Sequence, residues 1–202
     1  MTEANDDNDA AMRSDNRAAS CFASCSAEPT SIADAADNIE LSFADTRDLD
    51  AAQLVELMRE RVRVFVVEQT CPYQEIDDKD FAARHVMLRR DGRLVAYARI
   101  VPHDDGVHMS LGRVIVVKEF RGQGLARRLL RAGIDEIWRL YPGTGIKIAA
   151  QHRLKDFYGS FGFVAVSPVY LEDDIPHIDM VLESEVTQQR TASSEQRVTN
   201  SE

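Results

Sequence analysis

The chain has 202 residues, 44% of them hydrophobic, and carries 24 Lys and Arg against 34 Asp and Glu, a formal charge of -10. That length suits one domain with a sizeable core, and the acidic balance excludes the basic face that nucleic-acid binding needs. No run approaches the roughly 18 apolar residues of a membrane helix, and the N-terminus opens on acids where a signal peptide carries bases, so a cytoplasmic protein without a membrane partner is expected.

The charge is concentrated at the ends. Residues 1 to 37 hold eight acids against Arg13 and Arg17, and residues 183 to 202 hold four against Arg190 and Arg197. The centre is left nearly neutral. Both ends are rich in small and polar residues, with Phe22 their single aromatic, so a disordered acidic leader (1–37) and a disordered polar tail (183–202) are expected around one domain, 38–182. Cys21, Cys25 and Cys71 make no disulfide framework in a chain this long, and no ligand spacing for a metal follows the first two.

In chain order, Ile39, Leu41 and Phe43 alternate as a half-buried strand does, and Asp45 or Thr46 offers a helix N-cap. Leu54, Val55, Leu57, Met58 and Val62 recur at helical spacing, and the run from Val64 to Val67 predicts a second helix ending at the turn-prone Cys71-Pro72. After the acidic stretch 75–80, strands Arg84 to Arg90 and Arg93 to Val101 flank Asp91-Gly92, a tight-hairpin signal. A fourth strand, His108 to Val117, runs through Arg121-Gly122-Gln123-Gly124 into a long amphipathic helix carrying Leu125, Leu129, Leu130, Ile134, Ile137 and Trp138. Ile146 to Ala150 predicts strand five, Arg153 to Phe161 a short helix, and Phe163 to Val166 and His177 to Leu182 the closing strands. The class is mixed α/β.

The strand-glycine-helix junction at Val114 to Ala126 carries the chemistry. Glycine permits positive φ and close approach, while a helix N-terminus offers unpaired N–H groups and partial positive charge to a diphosphate. No Lys-Ser or Lys-Thr follows the glycines, which excludes a Walker A loop. The third glycine and downstream acid of a dinucleotide fingerprint are missing too. A plain turn before a helix is the alternative for the glycine spacing taken alone.

With Arg121, Gly124 and Ala126 matching Arg/Gln-x-x-Gly-x-Gly/Ala, the segment resembles the acetyl-CoA pyrophosphate signature of the Gcn5-related N-acetyltransferase (GNAT) superfamily. Phe157-Tyr158-Gly159-Ser160-Phe161-Gly162-Phe163 resembles that family's second motif, in the right order. Three further segments resemble the ElaA-type branch: Phe65 to Gln69, Cys71 to Asp77, and Glu172 to Ile178. The resemblance spans roughly residues 45 to 182. It implies an acyl-CoA N-acyltransferase fold, a partly splayed mixed sheet with helices on both faces, and transfer of the acetyl group of acetyl-CoA to a primary amine, with no metal.

The resemblance also implies residue roles. The backbone of Ile115, Val116 and Val117 would hold pantetheine, and that of Arg121, Gly122, Gln123, Gly124, Leu125 and Ala126 the pyrophosphate. One of Arg127, Arg128 and Arg131 would reach the remaining phosphate, or the three would form a solvated basic face. Gln151 stands where many relatives carry a pantetheine-side Asn. Tyr158 is the expected general acid, its phenol returning a proton to the thiolate; its alternative is core packing beside Phe157 and Phe161. Many relatives place a Glu base on the fourth strand, where this chain has only Met109, Ser110, Gly112 and Arg113. Glu68, Tyr73, Glu75 and His177 are therefore candidates at the acceptor side, with His177 suited to proton abstraction. The clusters Glu75 to Asp80 and Glu172 to Asp174 would draw a cationic acceptor. A non-catalytic acyl-CoA sensor is the alternative function, and a homodimer the default assembly.

Overall fold

In the computed structural model, residues 30–34 and 38–184 are described. Nine strands form one sheet in the order β1 (Thr30–Asp34), β2 (Ile39–Asp45), β3 (Arg84–Arg90), β4 (Arg93–Pro102), β5 (Met109–Val116), β6 (Ile146–Gln151), β9 (Ile175–Leu182) and β7 (Val164–Ala165). The remaining strand, β8 (Tyr170–Glu172), also pairs with β9. All pairs are antiparallel except β5–β6, which is parallel and meets at a single pair, Met109 with Ile146. Beyond that pair the two strands diverge. The sheet is therefore mixed and splayed, as the sequence led us to expect.

α2 (Leu125–Leu140) covers one face, burying Leu129, Leu130, Ile134 and Ile137 against Val86, Leu88, Ala98, Ile100 and Leu111. Gly133 lets it approach β5 closely, since an added Cβ would stand 2.8 Å from Leu111 Cδ1. α1 (Ala51–Val62) covers the other face, where Leu57 and Val64 pack with Met87, Leu94, Tyr97 and Ile115. β4 lies between these layers and is buried from Leu94 to Val101, with Arg99 the one charged side chain in an otherwise apolar span.

Three local expectations change. The N-cap of α1 is Asp50, which exchanges hydrogen bonds with Gln53; a 3-10 turn, Thr46–Asp48, occupies the place first read as the cap. The expected second helix is a π-helical continuation of α1, Arg63–Glu68, closed by i+5 bonds from Gln69 to Val64 and Cys71 to Val66. Glu172 to Asp174 stays exposed, as the end of β8 and a tight turn with Asp173 and Asp174 both at positive φ. β1 falls inside the span assigned to the leader and pairs with β2 from Thr30–Phe43 to Asp34–Ile39. The rest of the leader, and the tail from 185, lie outside the described residues. The Asp91-Gly92 hairpin is present, with both residues at positive φ.

Candidate active site

The divergence of β5 and β6 opens a cleft of about 990 Å³. A smaller concavity of about 630 Å³ lies over β2 and α2, away from this opening. β5 supplies the cleft's wall through its backbone. Val117 donates its N–H to Val95 O (2.9 Å), while Val116 O accepts from Arg121 Nε (2.9 Å). Neighbouring residues of an extended strand point their polar groups to opposite sides, so the N–H groups of Val116 and Val114 face the gap. Ile115 and Val117 face β4. Of the three residues first assigned to pantetheine, Val116 therefore has its backbone toward the gap, and Val114 joins it there.

At the end of β5 the chain turns through Gly122 (φ +77°) and Gly124 (φ +76°) into α2. Among the described residues the N–H groups of Gly122, Gln123, Gly124, Leu125 and Ala126 have no acceptor; Arg127 is the first to bond back, to Gly124 O at 3.1 Å. Five N–H groups without an acceptor at a helix N-terminus are the arrangement that suits an anion. Open space surrounds both glycine Cα atoms, so a diphosphate can reach the backbone. The site fits the pyrophosphate of CoA. Arg121 itself is held by Val116 O and by Glu68, its Nη2 standing 2.7 Å from Glu68 Oε2. Glu68 therefore braces this turn from the π-helical segment. Of the helix arginines, Arg127 reaches the cleft, donating to Ser160 Oγ (3.0 Å) over the rings of Phe157 and Phe161.

Tyr158 comes from α3 (Lys155–Gly159), lines the cleft and packs edge-on against Phe157 and Phe163. Burial pushes its phenol up to about 12, so the hydroxyl keeps its proton at neutral pH. Gln151, ending β6, donates to Gln69 Oε1 (3.2 Å) and accepts from Arg153 (2.8 Å). Across the β6–β9 ladder from Gln151 stands His177, stacked on Tyr170. Its Nδ1 lies 2.8 Å from Ile175 O. A carbonyl only accepts, so Nδ1 carries a proton and Nε2 is the nitrogen left for other partners.

The stretch 75–80 corrects the sequence reading most. Glu75 is 3% exposed, lies off the cleft, and accepts from Arg61 Nε (2.9 Å) and Arg113 Nε (2.8 Å). Asp80 accepts from Arg61 Nη1 (2.6 Å) and Arg99 Nη1 (2.8 Å), and Asp77 from Arg99 Nη2 (2.9 Å). Three acids meet three arginines. Burial opposes ionisation of Asp80, but hydrogen bonds from Arg61 and Arg99 outweigh it and hold the carboxyl well below its usual range. These acids are therefore not free to draw a cation. Nothing in the sequence pattern pairs Arg61, Arg99 and Arg113 with them, because the partners are separated by 14 to 38 positions. Tyr73 does reach the cleft, with Arg113 over its ring.

A sheet splayed beside an anion-binding helix start, with a protonated phenol in the opening, defines an acyl-CoA N-acyltransferase. Residues 52–184 match the family model of the acetyltransferase (GNAT) domain. The chain belongs to this family. It is 42% identical over 139 residues to protein ElaA of Escherichia coli (strain K12), covering 67% of this chain and 91% of the relative. Among solved structures it resembles an acyl-CoA N-acyltransferase from Pseudomonas aeruginosa, with TM-score 0.68 and 42% identity over 71% of this chain and 98% of that one. Escherichia coli ElaA gives TM-score 0.68 and 40% identity over 72% and 99%.

Proposed function

We propose that this cleft transfers the acetyl group of acetyl-CoA to a primary amine by direct attack, with Tyr158 protonating the departing thiolate. The observation that carries the reading is the run of unclaimed N–H groups from Gly122 to Ala126, continuous with the gap-facing backbone of β5. The turn seats the diphosphate; the N–H groups of Val116 and Val114 orient pantetheine, and one of them polarises the thioester carbonyl. Gln151 closes the β6 side. Tyr158, kept protonated by burial, supplies the proton that the sulfur needs as the C–S bond breaks. The amine must lose a proton as its C–N bond forms, and Nε2 of His177 is the base that the cleft offers. Titration calorimetry with acetyl-CoA, CoA and ATP, followed by thiol release with a panel of amines, tests this. Selective CoA binding with amine-dependent thiol release is expected. Binding without release would leave a sensor, and absence of binding would sink the donor site.

A further inference from the structure

Among the residues of β5, Arg113 alone has positive φ, at +52°, where the β4–β5 register slips. That conformation is strained for a residue with a Cβ, and a position that holds it is a candidate for function. The bulge places the Arg113 side chain in the cleft. There the guanidinium is fixed from several sides. Nε donates to Glu75 Oε1 (2.8 Å), and Nη2 lies 3.3 Å from Glu75 O and 3.4 Å from Asp77 Oδ2. The rings of Phe65 and Tyr73 each have their centroid 5.9 Å from its central carbon. A guanidinium has five N–H donors. Those of Nη1 have no partner among the described residues, and the side chain is 25% exposed on a cleft wall.

We propose that Nη1 of Arg113 binds a carboxylate on the acceptor, so that the amine acetylated belongs to an amino acid rather than to a simple polyamine. The inference rests on the acetyl-transfer reading and sharpens it. From the diphosphate turn, the donor track runs back along β5 past Val116 and Val114, and Arg113 is the next residue. Arg113 thus lies at the end of that track farther from the diphosphate turn, the side on which an acyl group would meet its acceptor. Arg61, Arg99 and Arg113 balance Glu75, Asp77 and Asp80 in formal charge, so the cluster offers an oriented donor rather than a field. An arginine held by one edge and packed against two rings presents its remaining edge in a set direction, and carboxylate is the anion that this geometry suits.

The test uses the full chain with acetyl-CoA and reads thiol release for free L-amino acids against their carboxamides. The acids are expected to exceed the amides in kcat/KM by about 10- to 100-fold, the range for one hydrogen bond to a charged group. Arg113→Gln is expected to collapse that ratio through KM, and Arg113→Lys, a point charge without the planar edge, to recover little of it. The wild-type ratio stands even if Arg113→Gln fails to fold. Equal turnover of acids and amides, or preference for diamines, overturns the inference and leaves acetyl transfer intact. An Arg113-dependent preference for succinyl-CoA over acetyl-CoA would move the carboxylate to the acyl group and overturn it too. Thiol release with no amine at all overturns both readings.

Discussion

Gly124 sits at φ +76° with open space where a Cβ would project, so a side chain there meets no atom of the protein. It meets instead the left-handed backbone and the path of the diphosphate. Gly124→Val is therefore expected to abolish CoA binding by calorimetry while leaving the far-ultraviolet spectrum of the fold. Normal binding would remove the anion seat from this turn. Tyr158 makes a different kind of claim, because it is both packed and chemically placed. Tyr158→Phe keeps the ring contacts with Phe157 and Phe163 and loses only the proton, so CoA affinity should persist while turnover falls by about 100-fold. Unchanged turnover would return Tyr158 to packing alone. Both residues were legible in the sequence because their motifs are local: a strand, a glycine turn and a helix start follow one another along the chain.

The elements are tied together by charges that no local pattern announces. α1 contributes Arg61, fully buried, to Asp80 of a 3-10 turn, and β4 adds Arg99 to the same carboxylate. Asp80→Asn would leave Arg61 buried with Glu75 as its one remaining carboxylate. Removing one partner of a buried pair costs about 3–5 kcal/mol, and a denaturant melt is expected to show a loss of that order. A loss below about 1 kcal/mol would mean that water or another acid replaces the contact. α2 is fixed to β3 in the same manner, with Arg84 Nε 2.5 Å from buried Glu136. The apolar periodicity of α2 was readable, whereas Glu136 reads as a solvated residue until β3 is placed beneath it. The π-helical turn after α1 escaped for a related reason: i+5 bonding leaves apolar spacing almost unchanged over six residues, and only the hydrogen bonds distinguish it.

Across the whole molecule, acid stability falls to groups that the core has buried. Thr46 Oγ1 lies within reach of the Asp80 and Ala83 carbonyls, which can only accept, so the hydroxyl gives its proton there and accepts from His85 Nε2 (2.9 Å). His85 Nδ1 then accepts from the Tyr97 hydroxyl (2.8 Å), and the ring is neutral. Burial, reinforced by the nearby Arg61, lowers His85 from 6.5 to about 4. Between those values the unfolded chain binds a proton that the folded one excludes, so stability rises with pH; this contribution is full above about 6.5 and lost as pH falls to about 4. Asp77 and Asp80 are depressed below 3.8, and their contribution is lost only in stronger acid. Melting temperature is therefore expected to drop between pH 6.5 and 4, with a shallower slope in His85→Gln. Identical slopes would show that other groups control this window.

By itself the sequence determined the class of sheet, the two helices that face it, the glycine turn before α2 and the short helix that carries Tyr158. Each of these is written in periodicity or in a short contiguous motif, which is information that the chain carries locally. Tertiary structure decided which strand amides face the cleft, because that depends on which residues of β5 pair with β4 and where β6 departs. It also decided the charge balance around residues 75–80. Residues 75–80 are acidic in sequence and neutral in space, since Arg61, Arg99 and Arg113 arrive from α1, β4 and β5 to meet them. The long-range pairing that turns an acidic stretch into a seat for one oriented arginine is fixed only when the sheet closes the distance between them.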